Sequence, residues 1–334
     1  MWRALEKTWW QTRKTWFAYV LLPFVPFYWC VSRLRQAYLK RQQKSFLVPV
    51  VVIGNITVGG NGKTPFLIAL AKALRQAGFS PGIVSRGYSA KTKTFPFVVR
   101  RDHSALLVGD EPLMLAKKTE CPVVISPNRQ EAINHLLANF PCDIVLSDDG
   151  LSHYAMHRDI EIILMDSQHQ LGNQLLLPAG PLREPRQRLN AADFIVSDKA
   201  SDFAKAAYTL KMSHLYFLQD NKPVSIEDLK GQPLTAISAI AKPTRFFKLL
   251  RSLGLAFTRR TFQDHHAFSQ EDVKVDEGLI LMTEKDAVKC IDFAENIVVL
   301  AIDFELAPAF WQDFSNTLSQ KTKKRLVTHN ETSC

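Results

Sequence analysis

Three glycines just before Lys63 and Thr64 give this chain its clearest sign of chemistry. They follow an apolar run that ends at Ile53, and an apolar-rich helix is predicted after them. In such a loop, backbone N–H groups face an anion, the lysine adds positive charge and the threonine hydroxyl can bind Mg²⁺. The strict pattern has a glycine where this chain has Thr57, and a glycine-rich turn without a ligand is the alternative. The predicted phosphate site comprises Thr57, Val58, Gly59, Gly60, Asn61, Gly62, Lys63 and Thr64.

Two adjacent carboxylates, Asp148 and Asp149, end an apolar run that starts at Cys142. In phosphate-loop enzymes an acid at the end of a neighbouring strand holds Mg²⁺, directly or through water. The alternative is a turn whose aspartates are solvated. Because the glycine loop is also present, we favour metal binding by at least one member of the pair.

Asp110 stands where a helix is predicted to open, after Gly109 and before Glu111 and Pro112. As a helix N-cap it would accept a backbone hydrogen bond. As a catalytic base it would accept a hydroxyl proton, which is the role of kinase aspartates. Spacing alone favours the cap.

Two further polar clusters are weak on their own. Asp264 is followed by His265 and His266, and adjacent histidines on a regular element point apart, so a shared metal is disfavoured and an Asp–His pair is plausible. A proline-rich loop carries Arg183, Arg186 and Arg188 near Glu184, which suits either phosphate binding or a solvated basic loop. Segments 85–88 and 128–129 follow predicted strands and present similar choices.

The elements that must position these residues alternate between strand and helix. Strands are predicted at 47–53, 82–85, 122–126, 142–147, 160–165, 193–197, 234–239 and 296–302, and helices at 65–77, 111–118 and 128–139. This alternation predicts an α/β fold with an open parallel sheet flanked by helices, in which ligands bind beyond the carboxyl ends of the strands. Residues 167–192 are predicted to form an irregular functional loop.

Charge is concentrated at the N-terminus. Residues 1–45 hold nine Lys and Arg against one acid, a balance of +8 out of +10 for the chain. The body is therefore nearly neutral, which argues against a nucleic-acid-binding protein. The five cysteines form no Cys-x-x-Cys pair, so a disulfide framework or zinc cluster is not expected and a reducing cytosol fits.

The same N-terminal arm contains five of the six tryptophans, at positions 2, 9, 10, 16 and 29. Residues 16–31 are uncharged but are interrupted by Pro23 and Pro26. Aromatic rings between flanking cations favour a segment that lies in the membrane interface. A transmembrane helix or a helical hairpin packed on the body remain alternatives, and no convincing signal-peptide cleavage site follows.

We expect four regions: a basic, Trp-rich membrane-interface arm (1–45), a phosphate-loop core (46–230), a smaller C-terminal α/β lobe (231–320) and a polar tail (321–334). The boundary near 230 rests on an apolar run from Leu234, followed by Pro243 and an amphipathic helix.

Taken as a series, the motifs resemble the tetraacyldisaccharide 4′-kinases, the lipid A 4′-kinases of Gram-negative bacteria. The matching segments, in family order, are 54–65, 85–88, 108–112, 148–153, 158–161, 177–185, 264–266 and 283–289. Two departures are Asn61, where threonine is usual, and Ser152, where glutamine is usual. The second puts any glutamine-mediated contact in doubt.

The resemblance implies a P-loop NTPase-like kinase that uses ATP and Mg²⁺ to phosphorylate the 4′-hydroxyl of a tetraacylated glucosamine disaccharide 1-phosphate. It implies Asp110, His265 and Lys63 as catalytic residues. It also implies that Arg86, Tyr88, Arg129, His153, Arg183 and Glu184 line the site or aid phosphate and metal binding, with Thr64, Asp148 and Asp149 near the metal.

The expected location is the cytoplasmic face of the inner membrane, where the acylated substrate resides, with no nucleic-acid or obligate protein partner. The alternatives are a membrane ATPase or nucleotide switch without a sugar substrate, and a non-enzymatic membrane adaptor.

Overall fold

A computed structural model of the chain describes residues 8–11, 15–59, 62–240, 242–264, 266–293 and 295–332. The helices are α1 (Trp16–Leu21), α2 (Val25–Arg41), α3 (Lys63–Gln76), α4 (Ala105–Val108), α5 (Asp110–Thr119), α6 (Arg129–Asn139), α7 (Ile226–Leu229), α8 (Pro243–Ser252), α9 (Glu284–Ala287) and α10 (Pro308–Thr332). Short 3₁₀ turns cover Leu22–Phe24, Arg186–Ala191, Glu271–Val273 and Ile291–Phe293.

Fourteen strands in the described residues form two sheets. They are β1 (Val50–Gly54), β2 (Pro81–Ser85), β3 (Phe97–Val99), β4 (Val123–Ile125), β5 (Ile144–Asp148), β6 (Ile160–Leu164), β7 (Phe194–Ser197), β8 (Lys205–Ala206), β9 (Tyr208–Phe217), β10 (Pro223–Val224), β11 (Leu234–Ser238), β12 (Thr258–Thr261), β13 (Leu279–Thr283) and β14 (Ile297–Leu306). The predicted strands therefore exist, with ends shifted by a few residues.

The first sheet has the order β3-β4-β2-β5-β1-β6-β7-β8 and is parallel except for β3. This confirms the predicted open parallel sheet. Strand β1 is buried along its whole length, as a parallel strand covered on both faces must be. Its neighbour β5 pairs with it so that Ile53 lies opposite Asp148. The glycine loop and the acid pair therefore emerge side by side.

Helices cover both faces of this sheet. On one face Phe66 and Leu70 of α3 pack in the same apolar cluster as Phe310 and Phe314 of α10. On the other face α6 contributes a second cluster, which includes Ile133. Helix α3 begins at Lys63, and Gly78 follows it with a φ of +90°, as predicted for a helix stop.

The second sheet has the order β10-β9-β14-β13-β11-β12. It already includes Tyr208–Phe217 and Pro223–Val224, which precede the boundary expected at residue 231. Helix α10 continues to Thr332, through most of the expected polar tail, and its first turns pack on the first sheet. The division into domains stays a prediction.

Within the described part of the N-terminal arm, residues 16–41 are helical, with a 3₁₀ turn where Pro23 interrupts the apolar run. Residues Trp16–Arg41 are long and apolar enough to cross a membrane, by length and composition alone, and only 6% of the most apolar window is buried. Trp9 differs from the expected interfacial ring, because it is only 2% exposed and its Nε1 donates to the carbonyl of Pro178 at 3.2 Å.

Candidate active site

The glycine loop joins β1 to the first turn of α3. Gly62 is the N-cap of α3 with a φ of +77°, and Gly59 has a φ of +94°, which are left-handed conformations that glycine adopts without strain. Thr64 is buried in the first turn of the helix. Gly60 and Asn61, two of the predicted phosphate-loop residues, lie outside the described residues.

The predicted irregular loop supports the glycine loop from one side. The backbone N–H of Arg183 donates to Ile56 at 2.7 Å, and that of Val58 donates to Pro181 at 2.8 Å. The Arg183 guanidinium donates to the Asn55 carbonyl at 3.0 Å and also to the Asn55 side chain. These bonds fix the backbone before the glycines and leave Arg183 directed at the acid pair.

Asp149 lies between two cations. Its Oδ1 is 2.8 Å from Lys63 Nζ and 3.3 Å from Arg183 Nη2. Burial raises the pKa of Asp149, but Lys63 and Arg183 outweigh burial and hold this pKa below its usual range. Asp149 is thus an ionised carboxylate in contact with the lysine of the phosphate loop.

Asp148 has a different environment. Its Oδ2 accepts a hydrogen bond from Ser85 Oγ at 3.1 Å, while its Oδ1 is buried and has no hydrogen-bond partner among the described residues. Burial, followed by the charge of Glu111, raises the pKa of Asp148 to about 6. A buried carboxylate oxygen without a partner among the described residues, next to a second carboxylate in the chain, suits a hard cation such as Mg²⁺, which binds through few protein oxygens.

Arg129, Arg86 and His153 form a basic group beside the acids. Arg129 is buried and donates to the carbonyls of Ser126 at 2.8 Å and Asp148 at 3.0 Å; burial lowers its pKa to about 10. Burial, followed by the charges of Arg129 and Arg86, lowers the pKa of His153 to about 3. His153 is therefore neutral at physiological pH, whereas Arg129 remains a cation.

Asp110 is the first residue of α5, and the N-cap is Gly109, with a φ of +91°. The cap interpretation, which spacing alone favours, is therefore wrong. A Cβ on Gly109 would lie 2.7 Å from the carbonyl oxygen of Tyr88, so these segments pack closely. Asp110 is buried, and its Oδ2 lies 3.9 Å from Lys285 Nζ.

Other predicted residues are placed less centrally. Glu184 Oε2 accepts a hydrogen bond from Tyr154 Oη and lies 3.3 Å from Arg188 Nε, so this oxygen already has two partners. Tyr88 is 62% exposed. His265 lies outside the described residues, and His266 Nε2 lies 3.1 Å from Asp272 Oδ2.

A cavity of about 190 Å³ lies between Asp149 and the arm. Asp149 and Arg183 lie on one side and helix α2 forms the other. Tyr28 of α2 ties the two sides together, because its hydroxyl donates to the carbonyl of Arg183 at 2.9 Å. The arm is thus one wall of the site.

Sequence reasoning assigned no role to Ser85, Asn55, Tyr28 or Lys285. Ser85 and Lys285 lie within motifs that were recognised, and Asn55 directly follows β1. No local pattern marks Tyr28, because its partner is 155 residues away.

Comparison with known proteins identifies the family. A family model described as tetraacyldisaccharide-1-P 4′-kinase matches residues 17–320. A tetraacyldisaccharide 4′-kinase from Legionella pneumophila is 43% identical over 300 residues, which cover 89% of this chain and 92% of the relative. One from Coxiella burnetii is 42% identical over 317 residues, which cover 92% and 94% of the two chains.

A solved structure agrees with these relatives. The "apo" form of LpxK from Aquifex aeolicus in complex with ATP superposes with a TM-score of 0.76 and is 28% identical, covering 91% of this chain and 99% of that chain. With the family model matching most of its length and the relatives agreeing in name, the chain belongs to the tetraacyldisaccharide-1-P 4′-kinase family.

Proposed function

We propose that this protein transfers the γ-phosphate of ATP to the 4′-hydroxyl of a tetraacylated glucosamine disaccharide 1-phosphate, a step of lipid A synthesis. Family membership supports the reaction. The observation that carries the assignment to this site is the cavity of about 190 Å³, which has the phosphate loop's acid partner on one side and an apolar, exposed helix on the other.

The phosphate end of the site follows from charge and backbone geometry. Loop amides at the start of α3 and the ammonium group of Lys63 would bind the β- and γ-phosphates. The Lys63–Asp149 ion pair, at 2.8 Å, holds this lysine at the mouth of the loop. Arg183 and Arg129 add positive charge around the same acids, which would help to stabilise the charge that develops during transfer.

Thr64, Asp148 and Asp149 are the residues that would hold Mg²⁺, and Glu184 lines the same cavity as Asp149. When bound, Mg²⁺ would neutralise phosphate charge and orient the γ-phosphate.

The acceptor hydroxyl needs a base, and Asp110 is our candidate. It is buried on the first turn of α5 and is not used as a cap. A carboxylate in that position can accept the hydroxyl proton as the oxygen attacks the γ-phosphorus. His265 remains its proposed partner from the family resemblance.

The arm would bring the enzyme to its substrate. The acyl chains keep the substrate in the bilayer, so the apolar outer face of α2 would enter the membrane while its inner face meets the sugar. We propose the cytoplasmic face of the inner membrane as the location, because ATP and the basic arm's preference for anionic lipid both fit that side.

Lys63→Ala tests this assignment. With the tetraacylated disaccharide 1-phosphate in mixed micelles and γ-labelled ATP, we expect transfer to fall by about 10²–10³-fold or more, because the positive charge that would stabilise the transferred phosphoryl group is lost. The matched control is Lys72→Ala on the same helix. The Lys72 side chain is 42% exposed and makes a long ion pair of 3.7 Å with Asp303, so this variant should keep near-wild-type transfer. Near-normal transfer by a folded Lys63→Ala protein would contradict the assignment.

The same assay separates the alternatives. If the wild-type protein hydrolyses ATP but forms no 4′-phosphorylated product from the disaccharide, a membrane ATPase or nucleotide switch is favoured. The absence of both hydrolysis and transfer would favour a membrane adaptor.

A further inference from the structure

Lys285, which follows a strand of the second sheet, contacts Asp110, the candidate base. It stands in α9, directly after β13, and its Nζ lies 2.9 Å from Glu111 Oε1, 3.6 Å from Asp264 Oδ1 and 3.9 Å from Asp110 Oδ2. One ammonium group therefore faces three carboxylates from two different parts of the chain. Its side chain is only 21% exposed, so water screens these contacts weakly.

Hydrogen bonds of the neighbouring residues Thr283 and Asp286 fix the backbone that carries Lys285. Thr283 caps α9 by accepting from the backbone N–H of Asp286 at 3.3 Å. The buried Asp286 carboxylate in turn accepts from the N–H of Ala239 at 3.0 Å. Lys285 therefore projects from a rigid turn at the carboxyl ends of β13 and β11.

A second ion pair fixes the partner helix in the opposite sense. Lys118, near the end of α5, pairs with Glu284, while Glu111, near its start, pairs with Lys285. The two ion pairs have opposite polarity: the acid of one pair and the lysine of the other are neighbours on α9, and their partners lie near opposite ends of α5. This arrangement sets the rotation of α5, and hence the direction of the Asp110 side chain.

We propose that Lys285 is a positioning residue for phosphoryl transfer, which keeps Asp110 ionised and aligned with Asp264 across the two sheets. This inference rests on the proposed function, because it gives Lys285 a role through the proposed base. Without the Lys285 charge, the carboxylates of Asp110, Glu111 and Asp264 would repel one another more strongly, which favours protonation, and a base that is already protonated cannot accept a proton.

The electrostatic surroundings of the base support this role. Two other acids share the Lys285 ammonium with Asp110: Glu111, the next residue of α5, and Asp264, which follows β12. Glu111 also acts on Asp148 at the end of β5. Lys285 brings positive charge to within 3.9 Å of the Asp110 carboxylate. Although burial opposes it, Glu111 and Asp264 raise the pKa of Lys285 above its usual range, so the lysine stays charged.

Lys285→Gln and Lys285→Arg test the proposal through the pH profile of kcat at saturating ATP and Mg²⁺. Loss of an opposite charge at this distance should move the acid limb of the profile upward by about one to three pH units. Lys285→Arg should keep the limb near its wild-type position. The control is Lys248→Gln, which removes an exposed lysine from α8 and should leave the acid limb of the profile where it is in wild type.

A purely structural role gives a different result. It predicts that Lys285→Gln lowers kcat by the same factor at every pH and lowers the melting temperature, with the acid limb unmoved, and that outcome would overturn the proposal.

A second measurement does not depend on turnover. In ¹³C-aspartate-labelled protein, the Asp110 carboxyl signal, assigned with Asp110→Asn, should titrate at higher pH in Lys285→Gln than in wild type. An unchanged titration refutes the proposal. If wild type fails to phosphorylate the disaccharide, the proposed function fails, yet this titration still decides whether Lys285 keeps Asp110 ionised.

Discussion

The two adjacent aspartates of the candidate site have different environments and therefore different pKa values. Asp148 and Asp149 are neighbours, yet one is buried with an oxygen that lacks a partner and the other is held between two cations. Burial raises the pKa of the first, while cations outweigh burial and lower that of the second. Pairs whose pKa values are pushed apart are typical of functional sites, although structural networks also produce them.

Asp110→Asn is the sharpest residue-level test of the base. Since Gly109 is the N-cap, the substitution removes no cap and keeps the side-chain shape. We expect kcat to fall by about 10²–10⁴-fold, the usual contribution of a positioned base, with little change in melting temperature. Rapid-quench measurements should show that the chemical step has slowed.

The control for this substitution is Asp276→Asn, an exposed aspartate on the second sheet's side of the molecule. A near-wild-type rate of the chemical step in Asp110→Asn would remove Asp110 as the base.

At the scale of elements, what the sequence predicted was local. Strand β1, helix α3 and the stop at Gly78 depend on residues a few positions apart, and they occur as predicted. The start of the second sheet could not be predicted, because β9 mixes polar with apolar residues, is exposed at half of its positions and is held by antiparallel pairing with β14, about ninety residues later.

The site divides in the same way. The glycine loop and the acid pair are each continuous in the sequence and were found. The Lys285 cluster and the Tyr28–Arg183 contact depend on how distant segments dock, which no periodicity encodes. The cap interpretation of Asp110 is wrong because Gly109, with its positive φ, is the N-cap of α5. The close packing of Gly109 against the Tyr88 carbonyl is a tertiary contact, which the local sequence does not predict.

A buried ion cluster after β6 joins elements of the two sheets. Asp166, with a fully buried side chain, pairs with Arg245 at 2.8 Å and with Lys242, both from the start of α8. Although burial opposes them, these cations hold the pKa of Asp166 below its usual range. The cluster therefore stabilises the fold when Asp166 is ionised.

The sign of its pH dependence follows from this direction. A depressed folded-state pKa contributes stability above the unfolded value of about 3.9, and the contribution is lost as pH falls below that value. We expect Asp166→Asn to lower the free energy of unfolding by about 1–3 kcal/mol at neutral pH, less than for a fully buried pair because the cations are partly exposed. In urea titrations this deficit should shrink as the pH is lowered toward about 3. A deficit that is constant with pH would show that packing, not charge, is lost.

At the scale of the whole molecule, helix α2 has two working faces. Phe27 and Leu34 are 74% and 72% exposed, whereas Tyr28 lines the cavity and holds Arg183. The outer face suits lipid and the inner face suits the polar part of the acceptor.

The two faces should separate experimentally. Phe27→Ser with Leu34→Ser should lower binding to anionic liposomes by about tenfold or more, since each apolar side chain contributes about 1.5–3 kcal/mol when buried. Transfer to acceptor in detergent micelles should be nearly unchanged. Tyr28→Phe should do the reverse: liposome flotation stays normal and the KM for acceptor rises. If both variants lose liposome binding to the same degree, the division between faces is wrong.

The shared wall between arm and site also bears on inhibition. The cavity beside Asp149 is lined by α2 and the loop around Arg183, and no glycine-loop residue from 57 to 64 is among its described lining residues. A compound that fills it would displace the acceptor and leave the nucleotide in place. Such a compound need not compete with the millimolar ATP of a living cell, and its potency would persist as ATP is raised but decline as acceptor is added. Since part of its binding surface belongs to the arm, it would also be selective against the many nucleotide-binding proteins that share only the loop.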